Sequence, residues 1–168
     1  GYIQGMNLIL SGLIYHIKDE VKTFAVFRKL IYSVRNIYFD CNITLTQSSG
    51  SATNTSPAYN SSSDPRLRPA PTLQHIGLDL SIVCLPWVLS LLTCAVPLNH
   101  LHLVYKGFIA KGWTFLYQAS LAIIVYHKEE LLTLEDPGDV LLIFSPTNDR
   151  KEHYDWEDIL KFGNTIQL

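Results

Sequence analysis

The 168 residues (19.0 kDa) fit one domain, and with 48% apolar side chains they can build a continuous hydrophobic core, which argues against a wholly disordered chain. Thirteen Lys and Arg against 15 Asp and Glu leave a net charge of -2, so no overall basic field exists to hold nucleic acid or an anionic membrane. Only 17% of residues are charged and the mean hydropathy is +0.14, a lean surface that points to a buried face, a missing piece or membrane contact.

The sequence opens at Gly1 inside what reads as the middle of a pattern, and its one methionine is Met6, so a fragment is expected. Residues 1–39 carry two amphipathic helices. Ile9, Leu10, Leu13, Ile14 and Ile17 recur at three- and four-residue spacing, and after Lys18, Asp19 and Glu20 the stripe resumes at Val21, Phe24, Phe27, Leu30, Ile31, Val34 and Tyr38. Arg28, Lys29 and Arg35 fall largely off that stripe and read as a solvated face.

From 44 to 72 Ser, Thr, Pro, Asn and Gly dominate, and such a tract cannot bury enough apolar area to offset its backbone entropy. A disordered loop inserted within one domain is expected, because the residues before it are too few to bury their helices alone. Asn42, Asn54 and Asn60 match the glycosylation acceptor pattern, two of them in this tract where composition alone produces it.

Residues 80–95 are apolar on nearly all sides, which predicts a helix buried over most of its surface, and Pro97-Leu98-Asn99 makes a break with Asn99 as its N-cap. The run 80–98 approaches the length of a membrane span, but Pro86 interrupts it, Pro97 closes it and no Lys/Arg cluster flanks it. Leu101, Val104, Tyr105 and Phe108 predict a short helix stopped at Lys111-Gly112. A long helical stretch follows at 113–134, then a helix at 139–144 capped by Asp136 with Pro137 in its first turn. Tyr154, Trp156, Ile159, Leu160 and Phe162 are spaced for one more helix. Strand-like alternation is nearly absent, so the class is all-α. The domain occupies 1–144, with a C-terminal tail at 145–168.

Cys41, Cys84 and Cys94 form no Cys-x-x-Cys pair and imply neither a disulfide framework nor a zinc site, so a reducing cytosol is the expected compartment. Phosphate-loop, dinucleotide, nucleophile-elbow and zinc-protease signatures are missing. His100 and His102 point about 200° apart on a helix and cannot share a metal. Glu129, Glu130, Glu135 and Asp136 read as a solvated acidic turn, and Trp87, Trp113 and Trp156 as core. No metal ligand is assigned.

One motif stands apart. Gly1-Tyr2-Ile3-Gln4-Gly5-Met6-Asn7 sets a carboxamide between a Tyr and a Gly at a helix start. It resembles the second catalytic motif of the TBC domain family, the GTPase-activating modules for Rab small GTPases. Trp87-Val-Leu-Ser-Leu-Leu-Thr is similar to the family's Trp-Phe-Leu-Thr-Leu-Phe helix, Val96-Pro97-Leu98 to its Leu-Pro break, and Ala110-Lys111-Gly112-Trp113 with Glu129-Glu130-Leu131-Leu132 to its C-terminal stretch. The resemblance runs from Gly1 to about Phe144. It departs in two places: the family's Ile-Trp-Asp appears as Val104-Tyr105-Lys106, and no Ile-x-x-Asp-x-x-Arg motif, the source of the arginine finger, occurs in the chain.

The resemblance implies an irregular multi-helix TBC-like fold truncated at its N-terminus. It implies a GTPase activator rather than an enzyme with its own turnover, with Gln4 as glutamine finger and Tyr2, Gly5, Met6 and Asn7 binding the GTPase. The partner would be a Rab-type GTPase that brings its own GTP and Mg²⁺, no cofactor being needed here. The setting would be the cytoplasm, peripherally on endomembranes. Because an arginine finger is worth about 10³ to 10⁵ in rate, the chain alone is expected to be inactive. Two alternatives stand beside this reading: a catalytically dead helical Rab-binding scaffold, and a multi-span membrane protein using 80–98 and 113–126.

Overall fold

The computed structural model describes residues 4–34 and 78–168. Tyr2, Arg35, Cys41, the three acceptor asparagines and the whole Ser/Thr/Pro tract expected to be disordered lie outside these residues. The described residues hold eight α-helices, two 3₁₀ turns and no strand.

Helix α1 (Met6–Ile17) and α2 (Glu20–Ser33) form a helical hairpin. Lys18 takes a left-handed conformation (φ 55°) and closes α1 by donating its N–H to the Ile14 carbonyl. Asp19 then caps α2, accepting from the Lys22 amide at 2.9 Å, with Glu20 favourably placed in the first turn. Of the predicted stripe α1 buries Ile9 and Leu13, with Gly12 beside them, and leaves Leu10 and Ile14 exposed, while α2 buries Thr23 and Leu30 and leaves Val21 and Phe24 exposed. Arg28 and Lys29 are exposed, as their place off the stripe predicts.

The expected 80–95 helix is shorter and less buried than its composition suggests. Helix α3 spans Ser81–Leu89, and its Ile82 and Leu85 are more than half exposed while Val83 and Trp87 are buried. Pro86 lies inside it and has no N–H to give to the preceding turn. After Ser90 the chain bends through Leu91 (φ 50°) and Leu92 (φ 62°), with the Leu92 amide donating to the Trp87 carbonyl at 2.7 Å. Leu91, Leu92, Ala95 and Val96 all enter the core from this bend. The membrane alternative falls with it: no described helix is long and apolar enough to cross a bilayer.

A 3₁₀ turn at Leu98–His100 leads into α4 (Leu101–Lys111). Asn99 is not the N-cap. It lies within the turn, and the first helical bonds are supplied by backbone, His100 N–H to the Pro97 carbonyl at 3.0 Å. Gly112 ends α4 and starts α5 (Trp113–Tyr126), the central helix, which buries Phe115, Leu116, Ala119, Ala122 and Ile123. The stretch predicted as continuous over 113–134 breaks at buried His127 and resumes as the short α6 (Lys128–Leu131).

Helix α7 (Pro137–Phe144) starts as predicted, with the Asp136 side chain accepting from the Gly138 amide. The chain beyond it forms a 3₁₀ turn (Asp149–His153) and α8 (Trp156–Gly163), capped by Asp155. Helix α8 buries Trp156, Ile159 and Leu160 and seats Gly163 against α5, where an added Cβ would lie 3.0 Å from the Gln118 carbonyl oxygen. Gln118 in turn donates to the Ile166 carbonyl at 2.7 Å. Lys151, only 6% exposed, donates its ammonium to the Phe144 carbonyl at 3.1 Å, neutralising the C-terminal end of α7. Trp87 and Trp156 are buried core residues, Trp87 meeting Phe144 edge-on with ring centroids 5.2 Å apart.

The acidic turn is not wholly solvated. Glu130 accepts two bonds from Arg150, at 2.6 and 3.2 Å, and lies 3.4 Å from His127 Nδ1. The Arg150 guanidinium holds the Glu130 carboxyl below the usual carboxylate range, and burial holds His127 below the ordinary histidine value.

Candidate functional site

Gln4 lies in the turn that immediately precedes α1, and its side chain is exposed. The next residue, Gly5, is buried and sets the geometry. Its φ of 100° is open to glycine and strained for any other residue. Its carbonyl accepts the amides of both Leu8 and Ile9 at 3.1 Å, which starts the helix. It is also pressed against the end of α3: a Cβ here would lie 2.6 Å from the Leu89 carbonyl oxygen and 3.3 Å from the Ser90 nitrogen. Two independent constraints therefore require glycine beside the glutamine, one of backbone angle and one of backbone-to-backbone approach.

Met6 is half-buried and packs on the core, whereas Asn7 is exposed and its carbonyl accepts from the Ser11 hydroxyl at 2.8 Å. Four of the five residues that the motif assigns to the site are thus contiguous and anchored, and Tyr2 lies outside the described residues.

The α3 bend on which Gly5 rests holds two successive non-glycine residues in the left-handed region. Each costs about 1–2 kcal/mol. Leu91 and Leu92 are both fully buried, and burying a leucine side chain contributes about 1.5–3 kcal/mol, so packing offsets the strain.

Sequence reasoning missed the residues that tie α1 to this bend. The Tyr105 hydroxyl on α4 lies 3.3 Å from the Ile9 carbonyl and 3.2 Å from Thr93 Oγ1. Periodicity placed Tyr105 in the apolar stripe of α4, and at 7% exposure it is buried there, but that pattern says nothing about its oxygen. The signal available was Gly12, an isolated glycine in an apolar helix, which commonly marks close packing. A Cβ on Gly12 would collide with the Tyr105 hydroxyl and approach Leu101 Cδ1 to 2.8 Å.

An exposed carboxamide offers one acceptor oxygen and two N–H donors, enough to orient a water molecule by donating to one partner and accepting from another. Of the arginines, Arg28 is exposed on α2, and Arg150 is held in its bidentate pair with Glu130; Arg35, Arg66 and Arg68 fall outside the described residues. Among the described residues no group of three His, Cys, Asp or Glu side chains is placed to hold a metal.

Known proteins resemble this chain over most of its length. Rab GTPase-activating protein eat-17 of Caenorhabditis elegans is 25% identical over 174 residues, covering 100% of this chain and 18% of that protein. Mitotic check point protein BUB2 of Saccharomyces cerevisiae is 24% identical over 162 residues, covering 96% of this chain and 49% of its own length. TBC1 domain family member 2A of Homo sapiens is 27% identical over 159 residues, covering 90% and 16%. The chain spans less than half the length of each of these relatives. No solved structure matches it at a significant level. The model of the Rab-GTPase-TBC domain matches residues 1–132, the part of the chain that holds Gln4, the α3 bend and the Tyr105 contacts, and the chain belongs to that family.

Proposed function

We propose that this chain is part of a GTPase-activating module for a Rab-type small GTPase, with Gln4 presented to the partner's nucleotide. GTP hydrolysis needs an attacking water held in line and charge neutralised on the transferring phosphoryl group. The Gln4 carboxamide would hold the water, accepting a hydrogen bond from it while donating an N–H to a neighbouring acceptor. Tyr2, Met6 and Asn7 flank it and would face the GTPase. The GTP and its Mg²⁺ belong to the partner, and this chain contributes side chains only. The observation that carries the reading is an exposed glutamine fixed at a helix start by a glycine wedged on the Leu89–Ser90 backbone. Family membership and relatives named as Rab GTPase-activating proteins support it.

The 168 residues contain no arginine in the Ile-x-x-Asp-x-x-Arg motif. That absence favours a second reading for this chain by itself, a Rab-binding scaffold without activity. Localisation follows the partner in both readings, in the cytoplasm with peripheral recruitment to endomembranes. Single-turnover GTP hydrolysis by a panel of GTP-loaded Rab proteins, with the full-length protein and its Gln4→Ala variant, separates the two. Loss of about 10²-fold or more in Gln4→Ala supports the glutamine-finger role. Acceleration undiminished in Gln4→Ala rules it out, and binding without acceleration in the unmodified protein establishes the scaffold.

A further inference from the structure

Near its start helix α1, which Gln4 precedes, packs Met6 and Ile9 on the core and makes two further contacts with the rest of the fold. One is the wedge of Gly5 on Leu89 and Ser90. The other is a chain of hydroxyls. Tyr105 has a single phenolic proton, and its geometry donates that proton to the Ile9 carbonyl at 3.3 Å. Thr93 Oγ1, 3.2 Å away, is therefore the donor to the Tyr105 oxygen. Thr93 lies in the bend that follows Leu91 and Leu92, so the relay joins α1, α4 and the end of α3 at one buried point. Gly12 leaves the room this oxygen needs, since any Cβ there would occupy it. Ile9 is fully buried and sits one turn from Gly5, whose carbonyl accepts the Ile9 amide. Ile9 is thus hydrogen-bonded to the residue that follows Gln4.

We propose that Tyr105 and Thr93 are positioning residues for Gln4: their hydroxyl relay fixes the start of α1 against the α3 bend, and so sets where the carboxamide stands when a GTPase docks. The inference rests on the reading of Gln4 as the water-orienting group. It assigns a role to the hydroxyl, because the ring alone would pack equally well as phenylalanine. Burial holds the Tyr105 phenol above its ordinary range, so it remains a donor throughout physiological pH.

Tyr105→Phe removes the oxygen and keeps the ring. In the full-length protein the amides of Leu8 and Ile9 are expected to exchange with deuterium about threefold to tenfold faster, the effect of one lost hydrogen bond, while α5 and α8 keep their protection. In single-turnover hydrolysis with a panel of purified GTP-loaded Rab proteins, the maximal rate should fall by about the same factor, with the half-saturating concentration unchanged within about twofold. Thr93→Val should act in the same direction, and Tyr105→Phe should add no further loss in a Gln4→Ala background. An unchanged maximal rate in Tyr105→Phe, where Gln4→Ala is defective, overturns this inference and leaves the Gln4 reading standing. So does faster exchange spread evenly over α5 and α8, or a raised half-saturating concentration at unchanged maximal rate, since either marks a merely structural role. Full acceleration by Gln4→Ala, or none by the unmodified protein on any Rab of the panel, overturns the Gln4 reading and this one with it.

Discussion

Replacing Gly5 by alanine loads two separate costs onto one position, and a second glycine isolates them. At φ 100° a Cβ is strained, and residues held in such regions cost of order 1–3 kcal/mol. The added Cβ would also stand 2.6 Å from the Leu89 carbonyl oxygen, a backbone atom that cannot swing aside as a side-chain tip would. Making room means moving α1 off the α3 bend, and overpacking of this kind costs about 1–3 kcal/mol. Gly112 also has positive φ, 61°, but nothing lies within 4 Å of its Cβ position. Gly112→Ala should therefore show the strain alone, about 2 kcal/mol, and Gly5→Ala strain plus collision, about 4 kcal/mol. The stabilisation that alanine brings by restricting the unfolded chain is common to both and cancels in the comparison. Urea unfolding followed by the fluorescence of Trp87, Trp113 and Trp156 measures the difference. If Gly5→Ala is no more destabilising than Gly112→Ala, the wedge does not exist as described.

Gly12→Ala should destabilise by about 1–3 kcal/mol, and Tyr105→Phe in the same chain should recover part of the loss by vacating the contested space. Strict additivity in that double-mutant cycle would refute the contact. Lys151, buried and held down to about 8 from 10.5, binds its proton more weakly folded than unfolded. Stability contributed by this site should therefore rise with pH between about 8 and 10.5. The difference between wild type and Lys151→Met, read by denaturation across that window, isolates it from the cysteines and tyrosines, whose raised values act in the opposite direction. His127 is likewise lowered from 6.5, so its contribution is retained above that value and lost as pH falls below it. Thermal unfolding at pH 7.5 and 5.5 should show a smaller acid-side drop in His127→Gln than in wild type, and an equal drop would remove His127 as the cause.

Where the chain's features are local, they are legible in the residues. Ile9 and Leu13 of the α1 stripe, the Lys111-Gly112 stop and the Asp136-Pro137 start of α7 each depend on residues within a turn or so of one another, and each appears where it was expected. The failures have a common cause. The 80–95 run reads as one buried helix because its composition is uniform, yet the helix ends at Leu89 and the chain bends through the left-handed Leu91 and Leu92. Glu130 reads as a solvated acid because its partner Arg150 lies 20 residues away.

The candidate site divides in the same way. The resemblance of Tyr2-Ile3-Gln4-Gly5-Met6-Asn7 to a family motif marks Gln4 from the sequence, since that motif is contiguous. Only the tertiary structure shows what holds that glutamine. Gly5 meets Leu89 and Ser90, and Tyr105 meets Ile9 across 96 residues of sequence. Periodicity reports which face of a helix avoids water, and carries no information about which backbone atom a glycine must approach or which carbonyl a buried hydroxyl will find. Those pairings are set when the helices close on a shared core, and they are what turn an exposed glutamine into a positioned one.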